Sequence, residues 1–174
     1  ELEYWNATSE EAYIWVRVPT LTHGSTSDGI FLYYGNAGAA AAWNATGVWD
    51  SSYKLVAHLD ETSGAVISDS TANNNDGAID ANFGVDNPFS AGLLGNALNL
   101  DGVKEYAIAS SPYGDTDLET VAASMSLWVK PAATASNQFL GIFTDTTSNF
   151  GVELYTDSSS RVQIVWRHRT DLTG

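Results

Sequence analysis

The 174-residue chain contains no cysteine, so neither a disulfide framework nor a thiolate zinc site can hold it together. Compartment stays open on that ground, because secreted bacterial proteins also dispense with cysteine. Basic residues are scarce: 7 Lys and Arg stand against 21 Asp and Glu, for a formal charge of −14. Such a field repels phosphate backbones, and with no basic patch to offset it nucleic acid is excluded as a partner. The same field attracts divalent cations and suits a saline medium, and a plain solvated acidic surface accounts for it equally well. No apolar run reaches the roughly 18 residues of a membrane span. The chain opens on Glu1, with no basic and apolar leader behind it, and so reads as a processed or excised piece.

Hydrophobic residues make up 44% of the chain and aromatics 11%, with six Trp, which is enough apolar material for a sizeable core. It is distributed in short alternating runs. In Tyr13-Ile-Trp-Val-Arg-Val18 the positions Ile14, Val16 and Val18 share one face, and Pro19 stops the run. Residues 30–34 are apolar on both faces and end at Gly35-Asn36. Further strands are expected at 54–59, 97–100, 104–109, 126–130, 139–143, 151–155 and 162–167, joined by Gly, Asn, Asp and Ser loops. Helical turns are expected only at 37–43 and 118–124. Many short strands with polar turns predict an all-β, antiparallel sandwich or barrel.

Three segments carry more than pattern: Asp69-Ser-Thr-Ala-Asn-Asn-Asn-Asp76-Gly77, Gly95-Asn-Ala-Leu-Asn-Leu-Asp-Gly102-Val-Lys-Glu-Tyr106, and Met125-Ser-Leu-Trp-Val-Lys-Pro131. With His58-Leu-Asp-Glu61, they resemble the LamG-like modules of extracytoplasmic proteins. That resemblance implies a concanavalin A-like jelly-roll β-sandwich over residues 53–174, incomplete at its C-terminal end. Residues 1–52, with Trp15-Val-Arg-Val-Pro19, Tyr33-Tyr-Gly-Asn36 and Gly47-Val-Trp-Asp50, are similar to the C-terminal part of an uncharacterised β-rich family that accompanies LamG modules. Some chains with this pairing continue into a proton-channel subunit of an energy-transducing complex. A sandwich lacking strands would expose unpaired edges, which invites self-association.

In the 69–77 loop, Asp69, Asn73, Asn75 and Asp76 supply side-chain oxygens on a tight turn, as calcium requires, and Asp101 is the next candidate ligand. The spacing is not that of an EF-hand. An Asx-rich turn, in which these side chains bond their own backbone, explains the same residues, and both readings stand at this point. Carbohydrate recognition would rest on aromatic platforms, for which Tyr106, Tyr113, Tyr155 and Trp166 are candidates, although sandwiches also bury such residues. Trp128 reads as core. Asn6-Ala-Thr8 and Asn44-Ala-Thr46 fit the N-glycosylation pattern, which matters only in a host that glycosylates.

Catalytic constellations are missing from the sequence. Asp115, Asp117 and Glu119 would share a strand face, but the acid spacing of laminarinase-type hydrolases is absent and they read as solvated loop charge. His23, His58 and His168 are scattered, with a packing role expected for His58, and no nucleophile elbow or phosphate-binding loop occurs. The expectation is a non-catalytic, extracytoplasmic recognition module for carbohydrate or another surface ligand, with calcium as its one candidate cofactor. The alternatives are a structural or adhesive spacer, or an accessory region of a glycoside hydrolase or of an energy-transducing complex.

Overall fold

The computed structural model describes residues 1–79, 88–100, 107–109, 124–130, 139–144, 150–157, 159 and 161–168. The chain divides into two compact units, Glu1–Ser110 and Ser111–Gly174. Secondary structure in both is β-rich and antiparallel, with one turn of helix among the described residues.

In the first unit, β1 (Leu2–Asn6) and β2 (Glu11–Ile14) form a hairpin in the register Tyr4↔Tyr13 and Asn6↔Glu11. Asn6 closes its turn, because Oδ1 accepts from the Thr8 and Ser9 amides at 2.8 and 3.1 Å. After a long segment without regular structure comes α1 (Ala45–Val48), capped by Asn44, whose Oδ1 accepts from the Gly47 amide.

A three-stranded sheet follows, built from β3 (Val66–Ile67), β4 (Gly77–Ile79) and β7 (Ala107–Ala109), with β4 in the centre. Ile67 lies opposite Gly77, so Ile67, Gly77 and Ile79 share one buried face. The separate hairpin of β5 (Phe89–Ala91) and β6 (Asn96–Leu98) pairs Phe89 with Leu98. Its turn needs Gly92, where an added Cβ would meet the Asn96 carbonyl oxygen at 2.6 Å. Ile67, Ile79 and Phe89 form the core, and Leu59 and Leu98 pack on it. Leu59 holds φ at +59°, a left-handed conformation that costs about 1–2 kcal/mol and is offset by this packing.

The second unit contains a meander of β8 (Phe139–Thr144), β9 (Phe150–Thr156) and β10 (Val162–His168), ordered β10-β9-β8. Asp157 organises the β9–β10 turn. Its Oδ1 accepts from the Ser159 and Arg161 amides, and its Oδ2 accepts from Arg161 Nε and Gln163 Nε2. The Arg161 backbone bond, and then the Arg161 guanidinium and the Ser159 amide, hold the Asp157 carboxyl down at about 2.

The strands expected at 97–100, 139–143, 151–155 and 162–167 are present within a few residues. Of the one expected at 104–109, residues 107–109 form β7 and the rest lie outside the described residues. Other expectations fail for identifiable reasons. The expected strand at 13–18 is paired only to Ile14, where the Trp15 amide donates to the Glu1 carbonyl. Residues 30–34 form no strand, having no ladder partner among the described residues. The alanines of 37–43 do not form a helix, since they offer little side-chain area to pack and a free helix that short is marginal in water. Residues 54–59 form no ladder among the described residues, and side chains of the 69–75 segment take the Lys54 carbonyl and the Val56 amide. Residues 126–130 are not a strand either, and Trp128, expected in the core, is 82% exposed. Residues 118–123 of the second expected helical turn lie outside the described residues.

With so few residues in the core, each should matter. Ile79→Ala is expected to lower the unfolding free energy of the first unit by about 2–4 kcal/mol, measured by urea denaturation.

Candidate ligand-binding cleft

The 69–77 loop is built around one carboxylate. Asp69 Oδ1 accepts from the Val56 and Thr71 amides, each at 3.0 Å. Its Oδ2 accepts from the Thr71 hydroxyl at 2.7 Å and the Asn75 amide at 2.8 Å. The Asp69 amide donates in turn to Asp76 Oδ1 at 2.9 Å. Burial pushes the Asp69 carboxyl up, but the four donors outweigh it and the net shift is downward. Asn74 takes φ +56° at the bend, a conformation that asparagine tolerates.

The amides of the neighbouring asparagines face the 53–56 segment. Asn73 Nδ2 donates to the Tyr53 and Lys54 carbonyls at 2.9 and 3.3 Å, and Asn75 Nδ2 donates to the Lys54 carbonyl at 2.8 Å. The Ser70 amide donates to the Val56 carbonyl. Side chains thus do the pairing that a strand would otherwise do.

The arrangement bears directly on calcium. Each Asp69 oxygen already accepts two hydrogen bonds, which occupies the roughly four lone-pair sites of a carboxylate, so as placed Asp69 does not fit a calcium ion. Asn73 and Asn75 point their amide nitrogens at carbonyls. Asp101 lies outside the described residues. Among the described residues no group of three or more His, Asp or Glu is placed to hold a metal.

Beside the loop lies a second polar network. His58 Nε2 and Nδ1 lie 3.2 Å from Glu1 Oε2 and from Glu3 Oε1, with the His58 side chain 10% exposed. Ser70 Oγ and Trp49 Nε1 donate to Glu1 at 2.7 and 2.6 Å, and Trp15 Nε1 donates to Glu3. Burial raises the Glu1 carboxyl, while Ser70, Trp49 and His58 together bring it below its ordinary value. Above this network the Trp49 ring packs at 5.1 Å from Trp15, 4.9 Å from Tyr53 and 6.1 Å from His58. His58 was expected to pack, and it both lies under the Trp49 ring and sits between the Glu1 and Glu3 carboxylates.

Loop and network together wall a cleft of about 390 Å³, lined by Arg17, Thr46, Trp49, Asp50, Ser51, Ala72 and Asn73. Arg17 Nη1 reaches the Gly47 carbonyl at 3.4 Å. Asp50 Oδ1 accepts from the Ser52 amide, and this bond and the nearby Arg17 charge hold its carboxyl low. Asn73 has its nitrogen committed, which leaves its side-chain oxygen as an acceptor at the rim. Arg17, Thr46, Asp50, Ser51 and Asn73 thus border the cleft next to Trp49, whose indole is itself only 8% exposed.

Of the residues expected from sequence, only Asn73 lines this cleft, while Asp69, Asn75 and Asp76 serve the loop that bounds it. Tyr106 and Tyr113 lie outside the described residues, as do Asp115, Asp117 and Glu119. Tyr155 pairs with Gln163 and Trp166 with Val152, so their odd offset puts the two positions on opposite faces of the meander. Sequence reasoning missed Arg17, Thr46, Asp50 and Ser51. Their one legible signal was the Asn-Ala-Thr-Gly-Val-Trp-Asp run at 44–50, where a capping residue, a hydroxyl, an indole and a carboxylate are crowded together.

Residues 1–75 match the family model described as "Domain of unknown function (DUF2341)". No curated protein and no solved structure matches the chain.

Three outcomes are expected. Asp69→Ala should cost about 2–4 kcal/mol in chemical denaturation, since it strands donors at several backbone sites. A carboxyl lowered on folding stabilises above its unfolded value and loses that contribution as pH falls through the folded one. Thermal stability of the wild type should therefore drop below about pH 4, and Asp69→Asn should show a shallower acid-side drop. A chelator should leave the melting temperature unchanged, as followed by scanning calorimetry.

Proposed function

We propose that this chain is a non-catalytic recognition module of an extracytoplasmic protein, and that the cleft beside the 69–77 loop takes a neutral, hydroxyl-rich ligand, carbohydrate being the class. The observation that carries this reading is the gathering of Arg17, Asp50, Asn73 and two hydroxyls beside Trp49 around about 390 Å³. Sugar hydroxyls both donate and accept, so a site for them needs fixed acceptors and donors side by side. A cleft of this volume lies within the range of small-ligand sites.

Charge supports neutral over anionic ligands, because a chain of net charge −14 repels carboxylates and sulfates. Calcium is left out of this reading, since the Asp69 carboxylate is fully engaged by its own loop. The small antiparallel sheets and tight hairpins support a concanavalin A-like, LamG-type sandwich for 53–174, with the cleft at its junction with the preceding β-rich segment. The step from such a scaffold to sugar binding is by analogy of fold, whereas the cleft chemistry is read from this chain's own residues.

A screen of retention on neutral polysaccharides tests the reading. Binding to at least one is expected, unaffected by chelator, and Asp50→Asn should weaken it about tenfold or more, some 1.4 kcal/mol, without moving the melting temperature. A structural spacer predicts no retention on any polysaccharide, and that result would overturn the proposal.

A further inference from the structure

A larger cavity, of about 600 Å³, is walled by residues 17–21 and 27–30. Arg17 lines it and also lines the cleft beside Trp49, so one side chain borders both. The two spaces hold the same kinds of group. The cleft has Asp50 with the hydroxyls of Thr46 and Ser51, and the larger cavity has Asp28 with the hydroxyls of Thr20 and Ser27. Each carboxylate is tied to its own backbone, for Asp50 accepts from the Ser52 amide at 2.9 Å and Asp28 from the Thr22 amide at 2.6 Å. The Asp28 amide donates in turn to Ser25 Oγ at 3.1 Å, which fixes the carboxylate a second time. Arg17 carries several N–H donors, and among the described residues it gives one of them to the Gly47 carbonyl. Donors therefore remain for a ligand in either space.

We propose that the two spaces are successive subsites of one extended site, and that its ligand is a linear neutral oligosaccharide laid across Arg17. The proposal rests on the reading of the Trp49 cleft as a carbohydrate site and extends it from one sugar to a chain of them. A set of donors and acceptors that recurs in two spaces sharing one guanidinium suits a ligand whose hydroxyls also recur from unit to unit. Two carboxylates to one guanidinium leave the joined site net negative, so uronate and sulfated chains are repelled and neutral ones are admitted. Each volume lies within the range of small-ligand sites. A second subsite adds contacts without repeating the cost of immobilising the whole ligand, so affinity rises with chain length until both are filled.

Calorimetric titration of the full chain with oligosaccharides of increasing length, hydrolysed from each neutral polysaccharide retained in the screen, tests it. Affinity is expected to rise at least tenfold along the series and then level off. The extra registers open to a longer chain raise affinity only in proportion to their number, so a gain of that size marks a second subsite. Asp28→Asn and Thr20→Val, both at exposed positions, should each remove most of the gain while the shortest ligand that binds keeps its affinity. Binding that does not strengthen with length overturns the proposal and leaves the carbohydrate reading of the Trp49 cleft standing. A length gain that both variants retain overturns it too. Retention on no polysaccharide overturns both.

Discussion

The structure depends on how a chain with three times as many acids as bases satisfies the carboxylates it buries. Seven Lys and Arg cannot pair with 21 Asp and Glu, so the work passes to neutral donors. Asp69 is held by three backbone amides and a hydroxyl, Glu1 by an indole and a hydroxyl beside His58, and Glu3 by a second indole. Asp157 is the place where a basic side chain joins backbone amides around one carboxylate. A carboxylate with all its acceptor sites filled can be buried at modest cost, whereas an unsatisfied one could not be kept charged there.

This constraint fixes the local architecture of the first unit. Because Asp69 draws donors from residues 56, 71 and 75, the loop wraps on itself and lies along the 53–56 segment. Ser70 then reaches Glu1, which holds Trp49, and the ring of Trp49 sets the position of Asp50 and of the short helix before it. The cleft is a by-product of these tethers. Its polar groups are held by elements that are themselves hydrogen-bonded, and such preorganisation lowers the entropy lost on binding a small ligand.

The sequence made parts of this legible and hid others. Alternating runs in the second unit disclosed β8, β9 and β10, since long strands with clear turns carry a period-two signal. Short elements such as β3 and β4 were hidden because two or three residues cannot show a period. Residues 54–59 look like a strand, yet Leu59 takes φ +59° and aspartate and asparagine side chains take the Val56 amide and the Lys54 carbonyl, which no alternation pattern reports. The Asp- and Asn-rich loop was visible, with its two chemistries equally compatible, and in the structure the Asn73 and Asn75 amides face carbonyls of the 53–54 segment. Arg17 and Asp50 escaped notice because the cleft joins residues 17, 46–51 and 72–73 through tethers that only coordinates reveal.

The proposed function requires that the groups bordering the cleft receive a neutral polyol. Amide and indole NMR spectra of the labelled chain, recorded while a soluble neutral oligosaccharide retained in the polysaccharide screen is added, give the most direct answer. Shifts concentrated at the Trp49 indole, Asp50 and Asn73, saturating together, are the predicted result. Saturating shifts confined to β8–β10, with the Trp49 indole unmoved, would contradict it.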